Sequence, residues 1–473
     1  MAKAKAWKQG AAGEPYFPDD FEVLQKAVLQ VTDIKTNRNK YYAVELHEAE
    51  EDGKQYYRVF THYGRTDDLE TNPNAGAKES RYFDDRGPAE SQYRSIYNQK
   101  TSKRKGYQEI ALASSKIGSQ KARGTSSGDV DNATLEKIGG PDQKPQESKL
   151  SAGVQELIRY IYEEATNALT GQVAATITAN GIETPLGVLT LGQIEKGEAI
   201  LEELYGIFQK KRKNQSALEN LSGEFYTVIP HRIGRTRSAV AEAVIDTLAE
   251  FQQKQELLQL MKDMLEVNGD ENVLFDPEID KKYDALGCKI EMLAKSDKAY
   301  KEIADLVVKS QIKHKKIKVK AVYTVRREAE WTAFREDVGN ERLLFHGSRI
   351  GNWVGLLSRG LLMPKIVVSM GVNRTDPGWL GHGLYFGDAS CTSAFYTTAG
   401  KKKTRFMGVF RVALGKAKEY KKITYGLEGP PKGYDSNHGV RSKTLRRSDF
   451  EDDEYVIYDT RQQRQEYLVE FTV

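Results

Sequence analysis

The chemistry of this chain is concentrated in three short runs. Leu343-Leu344-Phe345-His346-Gly347-Ser348-Arg349 is largely apolar until it reaches a histidine, a glycine and a serine. Such a run reads as a strand delivering one imidazole and an approachable backbone to a ligand, because only glycine lets a flat ring pack on the main chain. Gly381-His382-Gly383-Leu384-Tyr385-Phe386 follows, and Asp453-Glu454-Tyr455-Val456-Ile457-Tyr458-Asp459 sets a carboxylate, Glu454, at the head of another strand-like run. Taken singly, each also suits an ordinary buried strand with a hydrogen-bonded histidine or an edge glutamate.

The elements that must hold these residues change along the chain. Val28-Leu29-Gln30-Val31, Tyr41-Tyr42-Ala43-Val44-Glu45-Leu46 and Tyr56-Tyr57-Arg58-Val59-Phe60 are aromatic and β-branched runs between polar turns, which predicts a small antiparallel sheet. Within Ala89 to Lys100, Tyr93, Ile96 and Tyr97 fall at helical spacing. Lys121 to Ser148 has hardly an apolar residue and reads as a linker. The pattern then turns helical. Ser151 can cap a run whose Val154, Leu157, Ile158, Ile161 and Tyr162 form one stripe, and Thr190-Leu191-Gly192-Gln193 is a capping-box start for a helix presenting Ile194, Leu201, Leu204 and Phe208. A third helix is predicted from Ala239 to Val267, with Val244, Leu248, Phe251, Leu258, Met261 and Leu265 on its apolar face.

Composition narrows the classes. With 473 residues, 39% of them apolar, the chain should hold about three domains with real cores. Cys288 and Cys391 are too few for a disulfide framework or for cysteine-rich zinc modules, which points to a reducing intracellular compartment. No apolar stretch reaches membrane-spanning length and the N-terminal residues lack a secretory core, so a soluble protein without a membrane partner is expected. Net charge is only +4, but Lys100 to Arg123 and Lys313 to Arg327 are strongly basic. Either can supply phosphate contacts, although a charge run alone is ordinarily a solvated face.

In their order the three catalytic-looking runs resemble the NAD-binding core of the poly(ADP-ribose) polymerase family. Asn39-Lys40-Tyr41-Tyr42 with Tyr63-Gly64-Arg65 resembles that family's WGR domain, with Tyr63 where Trp is usual. The connecting phrases Thr184-Pro185-Leu186-Gly187-Val188-Leu189 and Glu224-Phe225-Tyr226-Thr227-Val228-Ile229-Pro230-His231 resemble its helical regulatory domain. The resemblance implies an α+β multidomain chain: a tail (1–14), a small antiparallel-sheet WGR domain (15–125), a linker (126–148), an all-α helical bundle (149–272) and a mixed α/β ADP-ribosyltransferase domain of two packed antiparallel sheets (273–473). It implies the DNA-dependent type without zinc fingers, with NAD as cosubstrate and no metal. DNA strand breaks and acceptor proteins, itself included, are the implied partners, in the nucleus of a eukaryote or the cytoplasm and nucleoid of a bacterium.

Carried over residue by residue, the resemblance gives Glu454, His346 and Tyr385 catalytic roles. Glu454 would stabilise the oxocarbenium-like state and polarise an acceptor hydroxyl. Gly347 and Ser348 would hold the nicotinamide amide, Tyr385 and Tyr396 would sandwich its ring, and His346 would grip the adenosine ribose. Ser393 supplies another amide-binding hydroxyl, and Phe386 completes the cofactor-binding set. Tyr63 and Arg65 are the implied DNA-binding pair. Leu362 stands where several members place an adenosine- or phosphate-facing Arg, and Thr392 replaces a Lys near the active site; the loop Met363 to Leu380, with Arg374, Asp376 and Trp379, should border the pocket.

Two other readings compete. Gly378-Trp379-Leu380-Gly381-His382-Gly383 has the wrong spacing for the pyrophosphate turn of a dehydrogenase and lacks a following helix. A DNA-end-binding scaffold with an inactive transferase fold is opposed by the full set of His346, Tyr385 and Glu454. The same set serves polymer-forming and single-unit transferases alike.

Overall fold

A computed structural model describes residues 4–126, 148–268, 279–363 and 378–473, apart from 73, 173–175, 179–180, 209, 211–213, 232, 235, 313–315 and 445. Most of the expected linker, most of the loop from Met363 to Leu380 with Arg374 and Asp376, and the start of the second basic run lie outside the described residues. The chain divides into two units: one holds residues 1–141, 169–265 and 270–272, the other 142–168, 266–269 and 273–473. Residues of the helical stretch thus contribute to both.

In the first unit β1 (Trp7–Lys8), β2 (Glu22–Asp33), β3 (Arg38–Glu51), β4 (Lys54–Arg65), β5 (Ala77–Phe83) and β6 (Gln108–Glu109) form an antiparallel sheet in the order β1-β5-β4-β3-β2-β6. Alternation alone predicts one wet face, yet β3 is buried along most of its length. The helix α1 (Arg86–Thr101) covers one face with Ala89, Tyr93 and Ile96. On the sheet's buried polar side, Glu45 is fully buried and satisfied by Ser119 N at 2.9 Å and by His47 Nε2 at 2.7 Å. A buried carboxylate needs such partners, so Ser119 is tied to the sheet, and Ala122, at the start of the expected linker stretch, is buried with its carbonyl accepting from Lys26 Nζ at 2.6 Å.

Next, β7 (Leu112–Ser115) joins strands from the helical stretch. α2 (Ala152–Gln172) precedes β8 (Thr176–Thr178), β9 (Gly181–Glu183) and β10 (Gly187–Leu189), which pair in the order β7-β10-β9-β8. The expected all-α bundle therefore carries a small sheet. α3 (Leu191–Phe208) starts as expected, with Thr190 Oγ1 accepting from Gln193 N at 3.2 Å. The Gln193 side chain does not close the box: it bridges Ala111 N and Val228 O instead. Glu224 to Val228, expected as connection, ends the helix α4 (Gln215–Val228), capped by Asn214. The long third helix is broken into α5 (Arg237–Glu242) and α6 (Leu248–Asn268). The cause is a capping box: Glu250 Oε2 accepts from Thr247 N at 3.1 Å while Thr247 Oγ1 accepts from Glu250 N at 3.2 Å.

In the second unit, the α2 stripe Val154, Leu157, Ile158, Ile161 and Tyr162 is buried as its spacing predicts. Among the described residues the further α-helices are α7 (Ile279–Asp284), α8 (Lys298–Lys309), α9 (Glu328–Ala333), α10 (Trp353–Arg359) and α11 (Ser390–Phe395). The strands are β11 (Lys289–Met292), β12 (Lys318–Arg326), β13 (Glu341–Gly347), β14 (Leu384–Gly387), β15 (Arg405–Ala413), β16 (Ala417–Tyr420), β17 (Ser436–Gly439), β18 (Glu454–Ile457) and β19 (Gln463–Thr472). Among the described residues they follow the order β11-β12-β19-β15-β13-β14-β18-β17-β16, antiparallel except for β16 with β17. The two sheets expected from the resemblance are joined: β13 and β14 share one register pair, Phe345 with Gly387. Among the described residues no helix is long and apolar enough to cross a membrane.

Phe345, 1% exposed in the core between α8, β15 and β19, anchors that joint. Phe345→Ala should cost about 3–5 kcal/mol of stability by calorimetric unfolding, as for other buried aromatic truncations. A loss below about 1 kcal/mol would show that the joint does not depend on this ring.

Candidate active site

The three runs singled out in the sequence come to lie on neighbouring strands: His346 and Gly347 on β13, Tyr385 and Phe386 on β14, Glu454 on β18. Phe345, Gly387, Glu454 and Gly439 form one row across four strands. Beyond that row β13 and β14 part. The Tyr385 carbonyl is reached by a side chain instead, with His346 Nδ1 donating to it at 2.9 Å. A carbonyl can only accept, so the proton sits on Nδ1 and the imidazole orientation is fixed.

The ring of Phe386 is buried and packs against His346 at 5.8 Å and Phe410 at 5.5 Å, so it supports the imidazole from behind. The Tyr385 hydroxyl donates to Gly381 O at 2.7 Å and accepts from Leu380 N at 3.0 Å, which fixes the plane of its ring. Ser348 Oγ accepts from Asn352 Nδ2 at 3.1 Å.

α11 packs against β13 and β14. A Cβ built on Gly347 would collide with the Ser393 carbonyl, and one on Gly387 would stand 3.5 Å from Ser393 Oγ. Gly347 is therefore glycine because another backbone lies on it. α11 buries Ser390, Cys391, Ser393 and Ala394 and leaves Tyr396, just past its end, 56% exposed. Tyr385, held through its hydroxyl, Glu454, at the head of β18, and Gly347, against which α11 packs, thus lie on three neighbouring strands. Leu362 is 38% exposed, and the Thr392 hydroxyl bonds to Asp452.

The groups bonded to the residue before Glu454 carry no motif in the sequence. Asp453 accepts from His438 Nε2 at 2.8 Å and Arg441 Nε at 2.6 Å, and Arg441 also pairs with Asp388. Asp453 lies next to Glu454 in the sequence, but His438 and Arg441 stand in a stretch with no recognisable pattern.

Comparison with known proteins bears on the same residues. The poly(ADP-ribose) polymerase catalytic-domain model matches residues 297–473, the regulatory-domain model of that family matches 148–269 and the WGR-domain model matches 25–113. The chain belongs to the poly(ADP-ribose) polymerase family. It is 36% identical over 323 residues to the mouse protein mono-ADP-ribosyltransferase PARP4, covering 68% of this chain and 16% of that one. It is 28% identical over 475 residues to poly [ADP-ribose] polymerase 2 of Arabidopsis thaliana, covering 92% and 69%, and 27% identical over 428 residues to the human protein of the same name, covering 87% and 69%. The chain thus spans under a fifth of the mouse relative's length.

The WGR-matched part of this family member presents a basic, aromatic pocket of about 680 Å³, lined in part by Arg38, Lys40, Tyr63, Lys100, Arg104 and Tyr107. Tyr63 stacks on Tyr42 at 5.2 Å and donates to Glu79 at 2.8 Å. Lys100 Nζ lies 3.7 Å from the Tyr42 ring centroid, and burial, reinforced by Lys105, lowers its pKa to about 8. Arg65 also borders the pocket, but its guanidinium is held by Asp67 at 2.7 Å and by the carbonyls of Asn37 and Gly234. Of the basic run, Lys116 pairs with Glu183 and Lys121 with Asp20, while Lys100, Arg104 and Lys105 face the pocket.

The contact between Gly347 and Ser393 is directly testable. Gly347→Ala should destabilise the protein by roughly 1–3 kcal/mol, because α11 must move. Gly429→Ala, with nothing within 4 Å of its Cβ, should stay within about 0.5 kcal/mol of the parent. Equal melting temperatures for the two variants would contradict the packing described.

Proposed function

We propose that this chain is an NAD-dependent ADP-ribosyltransferase that breaks the nicotinamide–ribose bond of NAD and transfers ADP-ribose to acceptor proteins, itself included, building poly(ADP-ribose) in response to DNA strand breaks. The observation that carries the reading is the gathering of His346, Gly347, Tyr385 and Glu454 where β13 and β14 part. The fixed Tyr385 ring and the open Tyr396 ring suit a flat nicotinamide. The Gly347 backbone and the Ser348 hydroxyl would orient its amide before the bond breaks, and His346 would grip the adenosine ribose. As the glycosidic bond breaks, its electron pair leaves with nicotinamide and positive charge develops on the ribose. The Glu454 carboxylate stabilises that charge and, in elongation, draws the proton from the attacking hydroxyl. The reading needs no metal.

Control by DNA is supported by the pocket of Tyr63, Lys100 and Arg104, where an exposed base or sugar face and a phosphate could both be met. Arg65 contributes through Gly234, and Thr227 Oγ1 accepts from Thr32 N at 2.8 Å, so the WGR sheet is bonded to the regulatory helices within its unit. Within the other unit, Glu156, Tyr160, Glu163 and Glu164 of α2 bond to residues 401–404, a few positions beyond Tyr396. The domain limits that accompany this reading are 15–125, 126–148, 149–272 and 273–473. Transfer of single units is the second reading, favoured by the similarity to the mouse mono-ADP-ribosyltransferase.

Incubation of the full chain with labelled NAD, with and without nicked DNA, separates these readings on a gel. A ladder that appears with DNA is expected; one shifted band would support single-unit transfer, and no label in either lane would reject the enzyme. Glu454→Gln should lower elongation about a hundredfold or more while NAD affinity changes little, since the charge matters chiefly in the transition state. Undiminished polymer from that variant would remove Glu454 from the mechanism.

DNA binding by the full chain should favour nicked over intact circular DNA and weaken steeply with salt. Lys100→Ala should lower affinity for all break sequences alike, whereas Arg65→Ala should act mainly on the activation by DNA. Equal affinity for intact circles would reject the break-sensing part of the proposal.

A further inference from the structure

We propose that Arg441 is the positioning residue for Glu454, tying together the ends of the three strands that meet where Glu454 enters the sheet. This rests on the reading of Glu454 as the catalytic carboxylate.

Glu454 is the first residue of β18, a place where a strand would ordinarily fray. Both its neighbours are pinned. On one side Asp453 accepts from His438 Nε2 at 2.8 Å, from Arg441 N at 3.0 Å and from Arg441 Nε at 2.6 Å. On the other, the Tyr455 ring stacks on His438 at 4.3 Å and 17°, and its hydroxyl accepts from Arg342 at 2.7 Å. The second arm of the Arg441 guanidinium reaches Asp388. Asp388 directly follows Gly387, the register partner of Glu454, and its N–H donates to the Asp453 carbonyl. One planar fork therefore joins the end of β14 and the head of β18 to its own segment just beyond β17. Lysine offers a single point charge and cannot hold both carboxylates in that geometry.

The bridge is sensitive to acid. Burial, together with Asp453 and Asp452, lifts Asp388 to about 6 despite Arg441. Asp453 goes the other way: against its burial, the bonds from His438 and Arg441 hold it at about 2. Asp388 faces Arg441 from the β17 side, Asp452 and Asp453 from the segment just before β18 and Tyr455 from β18 itself, with Asp452 bonded to Thr392 of α11. As pH falls through about 6, Asp388 takes a proton and that arm of the bridge loses its charge, while Asp453 stays ionised. Displacements well under an ångström at a catalytic group are costly, so the loosened junction should be read in turnover rather than in NAD binding.

The test measures nicotinamide release and NAD binding by the full chain for Arg441→Ala, Arg441→Lys, Asp388→Asn and Glu454→Gln. Arg441→Ala should lower kcat about a hundredfold with KM for NAD changed less than about threefold, and Arg441→Lys should recover only part of the loss. Asp388→Asn keeps an acceptor for Arg441 but cannot titrate, so the fall in kcat below about pH 6 should flatten. If Arg441→Ala fails to fold, Asp388→Asn and Arg441→Lys carry the test, and wild-type kcat values and pH profiles in both would overturn the proposal. So would wild-type kcat in a folded Arg441→Ala beside an inactive Glu454→Gln. Full activity of Glu454→Gln would instead fault the reading of Glu454 itself.

Discussion

The site depends on a ladder that stops. β13 and β14 meet at Phe345 and Gly387 and then part, and backbone groups released from a ladder must find other partners. At this joint the partner for the Tyr385 carbonyl is an imidazole, so His346 is held by the same event that opens the strands. Gly387 is the register partner of both Phe345 on β13 and Glu454 on β18. The backbone of α11 can lie on β13 only because residue 347 has no side chain. Move the joint by one residue and the histidine, the glycine and the glutamate would each leave their places.

Charge is handled by pairing in each of the two units. Behind Glu454, Asp388 and Asp453 would repel without Arg441, which pairs with both, and His438, which pairs with Asp453. In the WGR-matched sheet, a fully buried glutamate is tolerated because Ser119 and His47 meet it. The same economy shapes the basic pocket: Lys116 and Lys121, outside it, are paired with Glu183 and Asp20, while Arg38, Lys40, Lys100, Arg104 and Lys105 line it. Tyr63 offers a smaller face than the usual tryptophan, and its stack on Tyr42 and bond to Glu79 hold that face still.

Elements whose signal is local were legible in the sequence. The strands carrying His346 and Glu454, the stripe of α2 and the start of α3 all follow from apolar period and capping chemistry. The break between α5 and α6 was also written locally, in Thr247 and Glu250, but was overridden by a continuous apolar stripe. Other features have no local signature. Gln193 looks like half a capping box until Ala111 and Val228 are nearby, and Arg65 looks like a free phosphate ligand until the Gly234 carbonyl is in reach. His438 and Arg441 acquire meaning only through Asp388 and Asp453, and the opening of the sheet is a property of two strands far apart in the chain.

The account stands or falls on what occupies the opening between β13 and β14. A crystal structure of the full chain with a non-hydrolysable NAD analogue measures it directly. The nicotinamide should lie between the Tyr385 and Tyr396 rings, its amide on the Gly347 backbone and its ribose against Glu454. An analogue seated elsewhere, or one that fills the opening without approaching Glu454, would contradict it.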